Sequence, residues 1–109
     1  MRELKFEYDS TEYTISFDRK AFVSAENQGF DINKATDQPL KAATLLFVFG
    51  LQKNHHTLQL NKIDKILDEF LRIFDTGEFL AFCFEEYSSF FMTTQPDSKE
   101  KQKLNIQTK

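Results

Sequence analysis

Residues 40–51 read LKAATLLFVFGL, a helix-length stretch in a chain of 109 residues. Stepping about 100° per residue around a helix puts apolar side chains on every side of it. Leu40, Ala43, Phe47, Val48 and Leu51 share one face, and Ala42, Leu45, Leu46 and Phe49 form a second stripe on the opposite side. A surface helix needs only one apolar stripe, and a helix that is apolar all round is central or partnered. Two arrangements satisfy the pattern. Either the elements before and after this helix sandwich it, or part of the second stripe stays open, because a chain this small has few elements to spare as cover. Ala42, Leu45, Leu46 and Phe49 are therefore candidate protein-binding residues.

The flanking sequence supplies the elements that pack on this helix. Leu4, Phe6 and Tyr8 alternate with Lys5 and Glu7, and Tyr13, Ile15 and Phe17 alternate with Thr14 and Ser16. Two aromatic period-two runs around the polar Asp9-Ser10-Thr11-Glu12 predict a hairpin over 2–17. Such a hairpin is marginal alone and needs a surface to pack on. Asp18 stands where an N-cap belongs, and Gly29-Phe30 fits a left-handed stop, giving a short helix at about 19–28. Residues 31–37 read as loop. Asp37 and Pro39 then open the central helix, about 38–54. Gly50 inside it costs about 1 kcal/mol relative to Ala, which points to a close approach there.

A third helix, 62–75, follows with Asn61 as its cap and Asp64 at the capping-box spacing. Ile63, Ile66, Leu67, Phe70, Leu71 and Phe74 make its apolar stripe, while Lys65–Glu69 and Asp68–Arg72 are opposite-charge pairs on the wet side. Thr76-Gly77 separates it from a fourth helix, 78–92. There Phe79, Leu80, Cys83, Phe84, Tyr87, Phe90 and Phe91 share one arc and Phe82 falls on the charged side. That position makes Phe82 a further candidate protein-binding residue. The fold class is thus α+β: one domain over 1–94, an N-terminal antiparallel hairpin and about four helices, followed by a flexible tail over 95–109.

Composition narrows the function. The net charge is −3, and the lysine-rich tail carries +2, leaving −5 on the body. An acidic body argues against nucleic acid as the main partner, and its many rings sit on core faces, not between basic side chains as a base-stacking platform requires. The single cysteine excludes an intramolecular disulfide and a multi-cysteine zinc site. Neither a signal-peptide core nor an apolar run of spanning length occurs, so a soluble chain without membrane contact is expected.

No motif announces chemistry. His55-His56 are adjacent residues at a helix end, pointing in different directions with no second ligand cluster nearby, and read as a C-terminal turn suited to the helix dipole. Glu85-Glu86 read as a solvated face, since helix neighbours do not face each other. Cys83 lies mid-arc and reads as a buried small hydrophobe. There is no phosphate-binding glycine loop and no nucleophile elbow. A non-enzymatic protein without catalytic, metal or cofactor-binding residues is expected.

The N-terminal LKFEYDSTEYTISFDRKAF, the turn Gln28-Gly29-Phe30, the break Lys53-Asn54-His55-His56, the amphipathic Asn61–Asp75 and a helix carrying Glu86-Tyr87 before a charged tail resemble one known family. They look like the tail assembly chaperones of long-tailed phages and prophages of Gram-positive bacteria, over roughly residues 2–92. One departure is the hairpin loop Asp9-Ser10, where that family often has Asp-Gly. The resemblance implies a chaperone in the bacterial host cytoplasm that binds the tape measure protein and helps recruit tail tube protein during tail morphogenesis. It implies absence from the mature virion, possible homo-oligomers and, in many phages, a longer form made by frameshifting near the tail. Alternatives of other kinds are a small bacterial adaptor or partner-neutralising protein, and a small enzyme built on His55 or Glu85-Glu86. The last requires a pocket of convergent polar groups that the sequence does not signal.

Overall fold

The computed structural model describes residues 2–90. The fourth helix ends at Ser88, short of the expected 92; Phe91 and the tail over 95–109 lie outside the described residues. The order is β1 (Leu4–Tyr8), β2 (Thr11–Ile15), α1 (Arg19–Asn27), a 3-10 turn at Ile32–Lys34, α2 (Pro39–Gln52), α3 (Leu60–Ile73) and α4 (Thr76–Ser88). The strands pair antiparallel with Leu4 opposite Ile15, Phe6 opposite Tyr13 and Tyr8 opposite Thr11. The fold is therefore an antiparallel hairpin followed by four helices. The polar loop contracts to Asp9-Ser10, with φ of 53° and 64°. Two positive φ values mark a type I′ turn, whose twist matches that of the strands it joins.

Local signals place most helix ends. Asp18 Oδ1 accepts from the Ala21 N–H at 2.8 Å to cap α1, and Gly29 leaves the helix with φ of 114°. Pro39 sits in the first turn of α2, where its missing N–H costs nothing. Asn61 is not the cap of α3. The turn closed by Leu58 N–H to His55 C=O already starts the helix at Gln59, whose carbonyl accepts from Lys62 and Ile63. Nor does α3 run to Asp75 as expected: it ends at Ile73. The chain turns extended at Phe74, and the Asp75 carboxylate caps α4 through the Glu78 N–H at 3.0 Å. Arg72 of α3 turns to Glu69 at 3.6 Å instead of to Asp68.

Helix α2 is the centre, packed against β2, α1, α3 and α4. Its fully buried side chains are Ala43, Leu46, Phe47 and Leu51, with Ala42 at 4% exposure. The buried arc is thus rotated from the one expected. Leu40 is 64% exposed in the open first turn, whereas Ala42 and Leu46 are core residues and offer no surface. The rotation centres on Gly50. A Cβ there would stand 2.7–2.9 Å from Phe17 Cζ, Phe17 Cε1 and Ile15 Cγ2, so the glycine is where the end of β2 meets the helix backbone. Ser16 N–H donates to Gly50 C=O at 3.2 Å at the same point.

Among the described residues, phenylalanines are the packing material of two ring clusters. Phe6 of the hairpin reaches Phe70 at 4.9 Å, Phe70 reaches Phe47 at 5.1 Å and Phe79 at 5.4 Å, joining β1 to α2, α3 and α4. Phe17 stacks on Phe22 at 4.6 Å, and Phe22 meets Tyr87 edge-on at 5.1 Å, joining the hairpin to α1 and α4. Offset and edge-to-face pairs of this kind add about 0.5–1.5 kcal/mol each beyond their buried area.

Candidate protein-binding surface

Leu45 and Phe49 lie one turn apart on α2 and are half-buried at the margin of its buried arc. Beside Phe49 a groove of about 320 Å³ opens between the start of α1 and the end of α2, lined by Asp18, Lys20, Ala21, Ser24, Phe49, Gln52, Lys53 and His56. The small Ala21 and Ser24 leave the room. The rim carries the cations Lys20 and Lys53 against the single carboxylate of Asp18, which caps α1. Of the residues expected on the open stripe, Leu45 and Phe49 thus share an accessible margin, while Ala42 and Leu46 do not join them.

Phe82 stands elsewhere, half-buried on α4. The Arg2 guanidinium lies 5.1 Å from its ring centre, and Phe17 packs at 6.3 Å on the core side. Arg2 is held there by the acidic pair. Its backbone N–H and Nε donate to Glu86 at 3.3 and 3.4 Å, and its Nη2 donates to Glu85. Glu85 is solvated as expected, but Glu86 is 6% exposed, which corrects the expectation for that residue. A carboxylate this buried needs a charged partner, and the partner comes from the opposite end of the described chain.

The remaining chemistry-bearing residues make contacts within the fold. His55 Nε2 accepts from the Thr14 N–H at 3.0 Å, and its ring meets Tyr13 edge-on at 5.1 Å. Burial, with the neighbouring His56, holds its pKa below the ordinary value. Asn54 Nδ2 donates to Thr14 C=O at 3.3 Å and to Ser16 Oγ at 2.9 Å, and Lys53 Nζ donates to Ser16 Oγ at 3.1 Å. The break Lys53-Asn54-His55 is thus a latch that pairs the outer edge of β2, and it satisfies the fully buried Ser16. Burial, followed by the charge of Glu86, pushes the Cys83 thiol well up, which removes its nucleophilic form. Tyr87 donates to Glu26 Oε2 at 2.6 Å. That bond, ahead of burial and the charges of Glu26 and Asp31, raises its pKa to about 12.

Among the described residues no three His, Cys, Asp or Glu side chains gather as a metal ion requires. None of the described helices is long and apolar enough to cross a membrane. The sequence could have flagged Glu86, which falls three residues after Cys83 and seven after Phe79 on the apolar arc. The Arg2 contact leaves no such local trace.

Among curated proteins and solved structures, nothing matches the chain. A family profile does, over residues 1–109. The match covers the whole chain, which belongs to the family described as a domain of unknown function, DUF5055.

Proposed function

We propose that this protein is a non-enzymatic tail assembly chaperone, binding the tape measure protein in the bacterial host cytoplasm and helping to bring tail tube subunits to it. The reading begins from the resemblance over residues 2–92. The observation that carries it is the half-buried pair Leu45 and Phe49 on one edge of α2, with Phe49 lining the groove between α1 and α2. An amphipathic client helix docks by inserting apolar side chains at helical spacing into such a groove. Leu45 and Phe49, one turn apart, offer a matching apolar edge. The basic rim of Lys20 and Lys53 favours a client segment with carboxylates beside its apolar positions, an attraction that salt weakens.

Co-expression with a candidate tape measure protein, a long helical chain, tests the proposal. The expected result is transfer of that client from the insoluble to the soluble fraction. Leu45→Glu and Phe49→Glu, both at partly exposed positions, should abolish the transfer while preserving the far-ultraviolet circular dichroism of the wild type. A client equally insoluble with and without this chain sinks the proposal.

A further inference from the structure

The two edges of the hairpin are treated differently. Thr14 sends its N–H to His55 and its C=O to Asn54, so both point away from β1. Thr14 faces Lys5 across the ladder, which makes this a non-hydrogen-bonded position. The backbone N–H and C=O of Lys5 therefore point outward from the opposite edge. Two residues on, Glu7 opposite Glu12 repeats the arrangement. Among the described residues nothing pairs with the Lys5 or Glu7 N–H. An unpaired edge is a template for another strand.

We propose that β1 pairs antiparallel with β1 of a second copy of this chain, about a two-fold axis through Phe6, to give a four-stranded sheet. The strand is self-complementary in that register. Lys5 falls opposite Glu7 of the second copy and Glu7 opposite its Lys5, with Leu4 opposite Tyr8 and Phe6 opposite Phe6. The outward backbone groups of Lys5 and Glu7 then meet as hydrogen-bonded pairs, as the ladder requires. The neighbouring registers fail. Sliding by two residues one way sets Lys5 against Lys5, and the other way sets Glu7 against Glu7. Opposite charges directly across a pair stabilise it and like charges oppose it.

Glu7 supplies a further reason. Within its own hairpin it faces Glu12, a like-charge pair that a lysine from the other side offsets. The nearest carboxylate partner of Lys5 is the exposed Glu3 at a loose 3.9 Å. At the end of the edge an open hollow of about 580 Å³, bounded by Glu7, Tyr8, Asp9, Glu69 and Ile73, leaves room for an added strand. Ile73, 75% exposed, lies in the hollow where Leu4 of the second copy arrives opposite Tyr8.

The inference does not depend on the chaperone reading, and its test uses the purified chain without a client. Sedimentation velocity from micromolar to millimolar concentration should show a reversible monomer–dimer equilibrium. Lys5→Glu and Glu7→Lys should each weaken it on the order of ten-fold, since each reverses both charge pairs, and the double reversal should restore it. In the wild type, amide exchange at Lys5 and Glu7 should slow as concentration rises, while that of Thr14 stays constant. A chain that remains monomeric throughout overturns the proposal. So does a dimer indifferent to the single reversals or not restored by the double one, or exchange at Lys5 and Glu7 that ignores concentration.

Discussion

Ser10 is the residue where the chain holds a conformation its side chain disfavours. Asp9 and Ser10 both adopt positive φ. Asp tolerates that region through local hydrogen bonding, but Ser has little such tolerance, and an L-residue there is strained by about 1–2 kcal/mol. The alternation of Leu4 to Phe17 made the hairpin legible. The turn type was not, because Asp-Ser lacks the glycine that announces a I′ turn. Ser10→Gly relieves the strain while adding some entropy to the unfolded chain. The expected net gain is about 0.5–1 kcal/mol, read as a higher urea midpoint with an unchanged slope. A lower midpoint would show that Ser10 is not strained.

At the scale of elements, what was legible is what is local. The Asp18 cap, the Gly29 stop and the Ile63–Phe70 stripe depend on residues within a turn or two of one another. The pairing of Arg2 with Glu86 and the latch from the end of α2 to β2 join distant parts of the chain and leave no periodic trace. Of the candidate site, Leu45 and Phe49 were legible as surplus apolar surface. Ala42 and Leu46 were misassigned because a helical wheel shows two stripes without saying where a neighbour's backbone comes closest. The latch carries a pH prediction. His55 accepts through Nε2, so protonation removes the bond to Thr14, and its folded pKa lies below the ordinary 6.5. The unfolded chain then binds the proton more readily, so this stability is complete above pH 6.5 and is lost as the pH falls through the folded value. Between about pH 7.5 and about pH 5.5 the wild type should lose more of its urea midpoint than His55→Gln, whose amide oxygen accepts at either pH. His56 is unchanged between the two proteins, so the difference belongs to position 55. Equal losses would remove His55 as the pH-sensitive element.

On the scale of the whole molecule, α2 touches the hairpin and every other helix, and the buried side chains form one continuous cluster. Nothing in that arrangement lets the hairpin leave while the helices stay packed. Ile15 and Phe17 would be torn from Gly50, and Phe6 from Phe47 and Phe70. Unfolding should therefore be a single transition. The chain has three tyrosines and no tryptophan, and two of them, Tyr8 and Tyr13, belong to the hairpin, so tyrosine emission reports largely on it while far-ultraviolet circular dichroism reports on the helices. The two midpoints should coincide in urea. Gly50→Ala tests the coupling at its closest point. In an isolated helix the change is worth about 1 kcal/mol in favour of Ala, but here the new methyl meets fully buried Ile15 and Phe17 at less than contact distance. Overpacking of that kind costs about 1–3 kcal/mol, so the variant should be destabilised on balance, with both probes moving down together. A shift confined to the tyrosine signal would mean that the hairpin detaches by itself and that α2 is the centre of the helices alone.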